Sequence, residues 1–226
     1  RKDLQAAGAE AVEGVADLAG WADMIIFMLP GPKEISVTAL EARQHARRGT
    51  IVVDMSTSDP GLDREMEIAL GEKGIFWLDA PVSRGVPAAI KGELLTMVGG
   101  KEEAFRVVRP VLEAMASDIV HVGPAGYGHA MKLLNNLKIM AEVALIAEVV
   151  ALGVRSGIPA ETVNQVLAGS SADSFLWRYQ VPRMVAGNFV PGFSIDQGHK
   201  DLTLASQWAE RLGMSLTIGS AAKDLF

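Results

Sequence analysis

Residues 23–54 read DMIIFMLPGPKEISVTALEARQHARRGTIVVD, and this stretch decides the fold class. Residues 24–29 form a short apolar run that stops at Pro30-Gly31-Pro32. Residues 33–47 carry a helical pattern. A second apolar run, 51–54, follows Gly49-Thr50 and gives way to Ser56-Thr57-Ser58-Asp59-Pro60. Strand, helix and strand in this order make a crossover unit, and such units build a largely parallel sheet. The alternation continues downstream, with predicted helices over 60–73 and 102–115. Predicted strands over 75–78, 95–98 and 119–122 end at Asp79, Gly99-Gly100 and Gly123. Upstream, residues 1–7 look helical. In open α/β sheets the loops at the carboxyl ends of strands are where ligands bind.

The character changes near Gly128. No Gly or Pro interrupts residues 130–152, which are dense in Ala, Leu, Met, Ile and Val. The pattern predicts a long helix over 130–154, apolar on most faces, with Gly153 and Gly157 marking its end. Helical patterns follow at 160–167, 173–185 and 196–212, and another starts at Ser220. The expected organisation is a sheet domain over 1–127 and an all-helical domain over 128–226. A helix apolar all round must be buried all round, so assembly through the helical domain is expected.

Composition narrows the function. The 226 residues are 49% hydrophobic and 21% charged, which fits a globular domain. Lys+Arg is 21 and Asp+Glu is 27, a net charge of −6, unfavourable for neutralising nucleic-acid phosphates. Cysteine is absent, so disulfides and thiolate metal sites are excluded and a reducing compartment fits. No run of about 18 apolar residues offers a membrane span. Asp3, Glu10, Glu13 and Asp17 break any signal-peptide core. A soluble cytoplasmic enzyme or binding domain is expected, without nucleic-acid or membrane partners.

Several polar groups stand out against this background. Lys132, Asn135 and Asn136 fall on one face of the long helix at 100° per residue. A lysine among Met131, Leu133 and Leu134 would be desolvated, which disfavours its ammonium, as proton transfer requires. The bland reading has Lys132 reaching solvent while the asparagines serve a neighbouring loop. Ser83-Arg84-Gly85 combines a hydroxyl, a guanidinium and a glycine amide, a set suited to a carboxylate; an ordinary turn with an exposed arginine explains it equally. Ser56 or Thr57 serves as a helix N-cap on the simplest reading, and Lys200-Asp201 as a solvated pair. His45, His121, His129 and His199 show no metal-ligand spacing, so no metal is expected. His129, close to Lys132 in sequence, either lines the cleft or, on the simpler reading, is a polar residue at a helix start. Trp177 and Phe175 either pack the helical domain or wall a pocket. No G-x-G-x-x-G is present, and Gly123, Gly126 and Gly128 have the wrong spacing for it.

Five segments taken in order resemble the β-hydroxyacid dehydrogenases, the group of 3-hydroxyisobutyrate dehydrogenase and tartronate semialdehyde reductase within the 6-phosphogluconate dehydrogenase superfamily. They are Met28-Leu29-Pro30, Asp54-Met55-Ser56-Thr57, residues 79–85 with 92–100, residues 128–136, and residues 193–202. The resemblance implies a Rossmann-type α/β domain, a long connecting helix and an all-α domain. It implies NAD- or NADP-linked interconversion of a small β-hydroxy acid and its semialdehyde or oxo acid, in a homodimer or homotetramer. Lys132 matches the family's general acid/base and Asn136 its substrate-orienting residue, with Asn135 beside it. Ser83, Arg84 and Gly85 match the substrate-carboxylate loop, where Arg84 replaces the usual glycine. That change points either to a second anionic substrate group or to an outward side chain. Leu29, Pro30, Thr57 and Lys200 match cofactor-binding positions, and Asp201 a supporting one. The family's first strand–Gly-rich loop–strand unit has no counterpart, so a preceding segment of about 30 residues or more is expected. Two other functions are allowed: a tartronate-semialdehyde-type reductase whose substrate choice is altered through Arg84, and a non-catalytic binding or oligomerisation module.

Overall fold

The computed structural model describes residues 2–226, so the first residue of the predicted opening helix lies outside the described residues. Two compact units divide the chain, Arg1–Lys132 and Leu133–Phe226, and the division falls within helix α7 (Tyr127–Arg155).

The first unit begins with two short helices, α1 (Lys2–Ala6) and α2 (Val15–Ala19). Strands β1 (Met24–Phe27), β2 (Ile51–Asp54) and β3 (Phe76–Asp79) then pair in parallel, joined by α3 (Pro32–His45) and α4 (Pro60–Gly71). The pairing sets Phe27 beside Asp54 and Asp54 beside Asp79, so two carboxylates end neighbouring strands. Side-chain alternation splits the strands between two cores. Ile25, Phe27, Val52 and Trp77 pack with α2, α3 and α4. Val53, Leu78 and Val98 pack with Phe105, Val108 and Leu112 of α6 (Glu102–Leu112). Each large apolar side chain so buried contributes about 1.5–3 kcal/mol.

Beyond β3 the sheet departs from the expected parallel order. Strand β4 (Val82–Ser83) and helix α5 (Gly85–Lys91) follow almost at once. Strand β5 (Leu94–Gly100) therefore returns antiparallel to β3 and β4. Strand β6 (Ala116–Gly123) runs parallel to β5. The N-cap of α4 is Asp59, which accepts a hydrogen bond from the Gly61 N–H at 2.9 Å, and not Ser56 or Thr57.

The second unit holds the rest of α7 with α8 (Ala160–Ala168), α9 (Phe175–Val185), α10 (Ile195–Arg211) and α11 (Thr217–Leu225). Ile146, Val163, Leu176, Trp177 and Val181 form one core. Met140, Leu202 and Ala222 form another. Gly153 lies inside α7 instead of ending it: a Cβ there would come within 2.7 Å of Val163 Cγ2, so glycine lets α8 approach. Trp177 is core and donates through Nε1 to Asn164 Oδ1, whereas Phe175 is exposed and stacks on Tyr179. Among the described residues no helix is long and apolar enough to cross a membrane.

Candidate active site

The carboxyl ends of β2 and β3 and the first turn of α7 meet in a polar cluster within the first unit. Asp54, Asp63, Asp79 and His129 are all fully buried. Asp79 accepts from the backbone N–H of Gly126 and of His129, both at 2.8 Å. A carboxylate is thus set at the positive end of α7, where unsatisfied amides favour an anion. The His129 ring bridges Asp63 Oδ2, 2.7 Å from Nδ1, and the Ser56 carbonyl, 3.1 Å from Nε2. Asp63 also accepts from Trp77 Nε1. Asp54 Oδ1 accepts from the Ser56 N–H, and Asp54 Oδ2 lies 4.0 Å from His129 Nε2.

The electrostatics follow from this packing. Burial opposes the His129 imidazolium, but the Asp63 charge and hydrogen bond, with Asp54 and Asp79 behind them, push its pKa up to about 10. Burial and the Asp63 charge push Asp79 up to about 7, against the pull of His129 and the two amides. Burial likewise raises Asp54. Asp54, Asp63 and His129 are metal-binding residue types, with donor atoms within 4.8 Å of one another. However, two donors each about 2.1 Å from a tetrahedral ion stand roughly 3.4 Å apart. The 2.7 Å contact of His129 with Asp63 is that of a shared proton.

Ser83 ends β4, and the chain turns through two left-handed residues, Arg84 at φ 84° and Gly85 at φ 71°. A side chain in that conformation is strained, which explains why glycine suits the position. The Arg84 guanidinium donates to Asp118 at 2.7 Å, to Ser117 Oγ and to the Glu93 carbonyl. The Arg84 hydrogen bond holds the Asp118 carboxyl below its ordinary range. Arg84 is therefore bound within its own sheet. Replacing it with glycine removes about 1 kcal/mol of left-handed strain and gives up an exposed ion pair. The Arg84→Gly protein is expected to keep the parent's ranking of substrates by kcat/KM. A loss of about 1.5–3 kcal/mol confined to the more anionic substrates would instead show Arg84 contacting them.

The loops after β1 and β2 lie side by side. The Leu29 N–H donates to Ser56 Oγ at 2.8 Å, which ties one loop to the other. Leu29 and Thr57 are half-buried and Pro30 is exposed.

In the second unit, Asn136 is buried on α7 and donates through Nδ2 to Asp201 Oδ2 of α10 at 2.6 Å. Asn135 Nδ2 donates to Asn136 Oδ1 at 2.9 Å. Lys200 Nζ lies 3.3 Å from Asp201 Oδ1. Asn135, Asn136, Lys200 and Asp201 thus form one chain of contacts across 65 residues of sequence. Lys132 stands one helical turn before Asn136 on α7 and is half-buried, less enclosed than the sequence predicts.

Two family models match the chain: the NAD binding domain of 6-phosphogluconate dehydrogenase over residues 1–123, and the NAD-binding domain of NADP-dependent 3-hydroxyisobutyrate dehydrogenase over residues 126–226. The chain is 35% identical to 2-(hydroxymethyl)glutarate dehydrogenase of Eubacterium barkeri over 98% of its own length and 75% of the relative's. It is 34% identical to human mitochondrial 3-hydroxyisobutyrate dehydrogenase over its whole length and 70% of the relative's. The solved structure of Mycobacterium tuberculosis 3-hydroxyisobutyrate dehydrogenase with L-serine aligns at a TM-score of 0.89 and 32% identity. That alignment covers 95% of this chain and 76% of the other.

Proposed function

The chain belongs to the β-hydroxyacid dehydrogenase family, and we propose that it interconverts a small β-hydroxy acid and its semialdehyde or oxo acid with NAD or NADP. The observation carrying this reading is the contact chain joining Asn135 and Asn136 to Asp201 and Lys200. Residues far apart in sequence, each matched to a family position, are neighbours here.

The nicotinamide, when bound, supplies the hydride acceptor or donor. Leu29, Pro30 and Thr57 would hold its ribose and nicotinamide end. The fit is chemical: the two loops are tied through Ser56 and offer apolar surface beside a hydroxyl. Lys200 is the cation assigned to the cofactor.

Ser83 and the Gly85 N–H receive the substrate carboxylate. The Asn136 amide, fixed on Asp201, orients the substrate hydroxyl, and Asn135 steadies Asn136. Lys132 Nζ takes the hydroxyl proton in the oxidative direction and returns it in the reductive one. The likeness to these relatives favours substrates of the 3-hydroxyisobutyrate, L-serine and 2-(hydroxymethyl)glutarate type.

The test is formation of reduced cofactor with each of these acids, using NAD and NADP separately. Turnover of at least one supports the reading. Binding of both nucleotides without turnover of any would favour a non-catalytic relative.

We also infer a homodimer or homotetramer built on the helical unit, where Leu145, Leu152, Val154 and Val166 are exposed. An apolar surface of this kind is expected to be covered. Sedimentation at micromolar concentration should give at least a dimer, and a monomer would refute it.

A further inference from the structure

We propose that His129 is a positioning residue for Lys132, acting through the first turn of α7; this rests on the proton-transfer role of Lys132 proposed above. His129 and Lys132 are three residues apart on one helix, an axial step of about 4.5 Å, so any shift of the first turn is passed on to the lysine. That turn is held by three separate elements. Asp79 of β3 accepts its Gly126 and His129 amides. Asp63 of α4 and the Ser56 carbonyl after β2 grip the His129 ring.

The ring's partners also define its protonation. A carbonyl oxygen can only accept, so Nε2 carries hydrogen, and the Asp63 contact that pushes the His129 pKa up to about 10 keeps hydrogen on Nδ1 as well. His129 is therefore the imidazolium that compensates Asp63 and faces Asp54 and Asp79. The Arg64 guanidinium lies nearby, beside Gly126. A buried ion cluster of this kind is a poor way to add stability compared with apolar packing. What it adds is direction: two ring hydrogen bonds and two amide bonds leave the helix start a single orientation.

His129→Gln keeps two N–H donors on a neutral side chain. Asp63→Asn keeps the acceptor for Trp77 and removes the charge facing the ring. Lys132→Ala is measured alongside them. His129→Gln and Asp63→Asn are each expected to lower kcat roughly 10- to 100-fold, the effect of displacing a reacting group by about an ångström. KM for the hydroxy acid and for the cofactor should stay at the parent's values. The double variant should lose no more than the worse single one, because both act on the same joint. In His129→Gln the pH at which oxidation reaches its plateau should move upward, since removing positive charge favours the lysine ammonium.

If Lys132→Ala is inactive while both variants fold and turn over like the parent, the positioning role is overturned and the function of Lys132 stands. If Lys132→Ala retains the parent's turnover, the reading of Lys132 fails first and takes this proposal with it. Loss of the fold in both variants, followed by unfolding measurements, assigns the cluster to stability alone and also overturns the proposal.

Discussion

Lys132→Ala should lower turnover by about 10²–10⁴-fold, the range contributed by a positioned general acid or base. The substitution truncates a half-buried side chain in the first turns of α7. It leaves intact the contacts of Asn136 with Asp201 and of Lys200 with Asp201. Cofactor affinity, read by nucleotide fluorescence, should therefore be unchanged, as should the melting temperature. Loss confined to kcat is the signature of a group that acts in the transition state. Turnover equal to the parent's would remove Lys132 from the mechanism.

Gly128→Ala should be the most damaging single-methyl change to the fold. A Cβ at Gly128 would lie 2.5 Å from the Met97 carbonyl oxygen, 2.7 Å from that of Asp79 and 2.8 Å from Asp79 Oδ2. Two of these atoms belong to the backbone of buried strands and cannot yield. The start of α7 would have to lift, stretching the bonds from the Gly126 and His129 amides to Asp79. Overpacking of this kind costs about 3 kcal/mol, a large share of the 5–15 kcal/mol that holds most domains folded. Urea unfolding should show a much lower midpoint, and the surviving folded protein should have reduced turnover. An unchanged midpoint would mean that the close approach of α7 to β3 and β5 is not required.

Much of this design is legible in the residues. Met24–Phe27, Ile51–Asp54 and Phe76–Asp79 declare themselves as strands because each is a short apolar run bounded by turn residues. The long α7 declares itself by an uninterrupted apolar composition. The direction of β5 is not legible, because an apolar run reads the same either way. Direction is set by the connection, and residues 85–91 (GVPAAIK) hide their helix behind a glycine and a proline. The pairing of Asn136 with Asp201 becomes visible through family resemblance alone, since no spacing rule joins residues on two different helices.

The buried cluster is harder still to read. His129 looks like an ordinary polar residue at a helix start, and Asp63 like any acidic residue in a helix's first turn. The available signal was that two neighbouring strands both end in aspartate, Asp54 and Asp79, a pattern that needs compensating charge once the strands pair. Arg84 shows the reverse case. Its replacement of a family glycine is plain in the sequence, but the partners that bind it, Asp118 and Ser117, lie more than 30 residues away.

Isotope transfer decides whether this chain moves a hydride from a β-hydroxy acid to its cofactor. The protein is incubated with oxidised cofactor and a β-hydroxy acid carrying deuterium on its carbinol carbon, and the reduced cofactor is examined by mass spectrometry. Hydride transfer places one deuterium in the nicotinamide ring, at a rate that collapses in Lys132→Ala. Reduced cofactor without deuterium, or none from any of the hydroxy acids, would contradict assignment of this chain as a working β-hydroxyacid dehydrogenase.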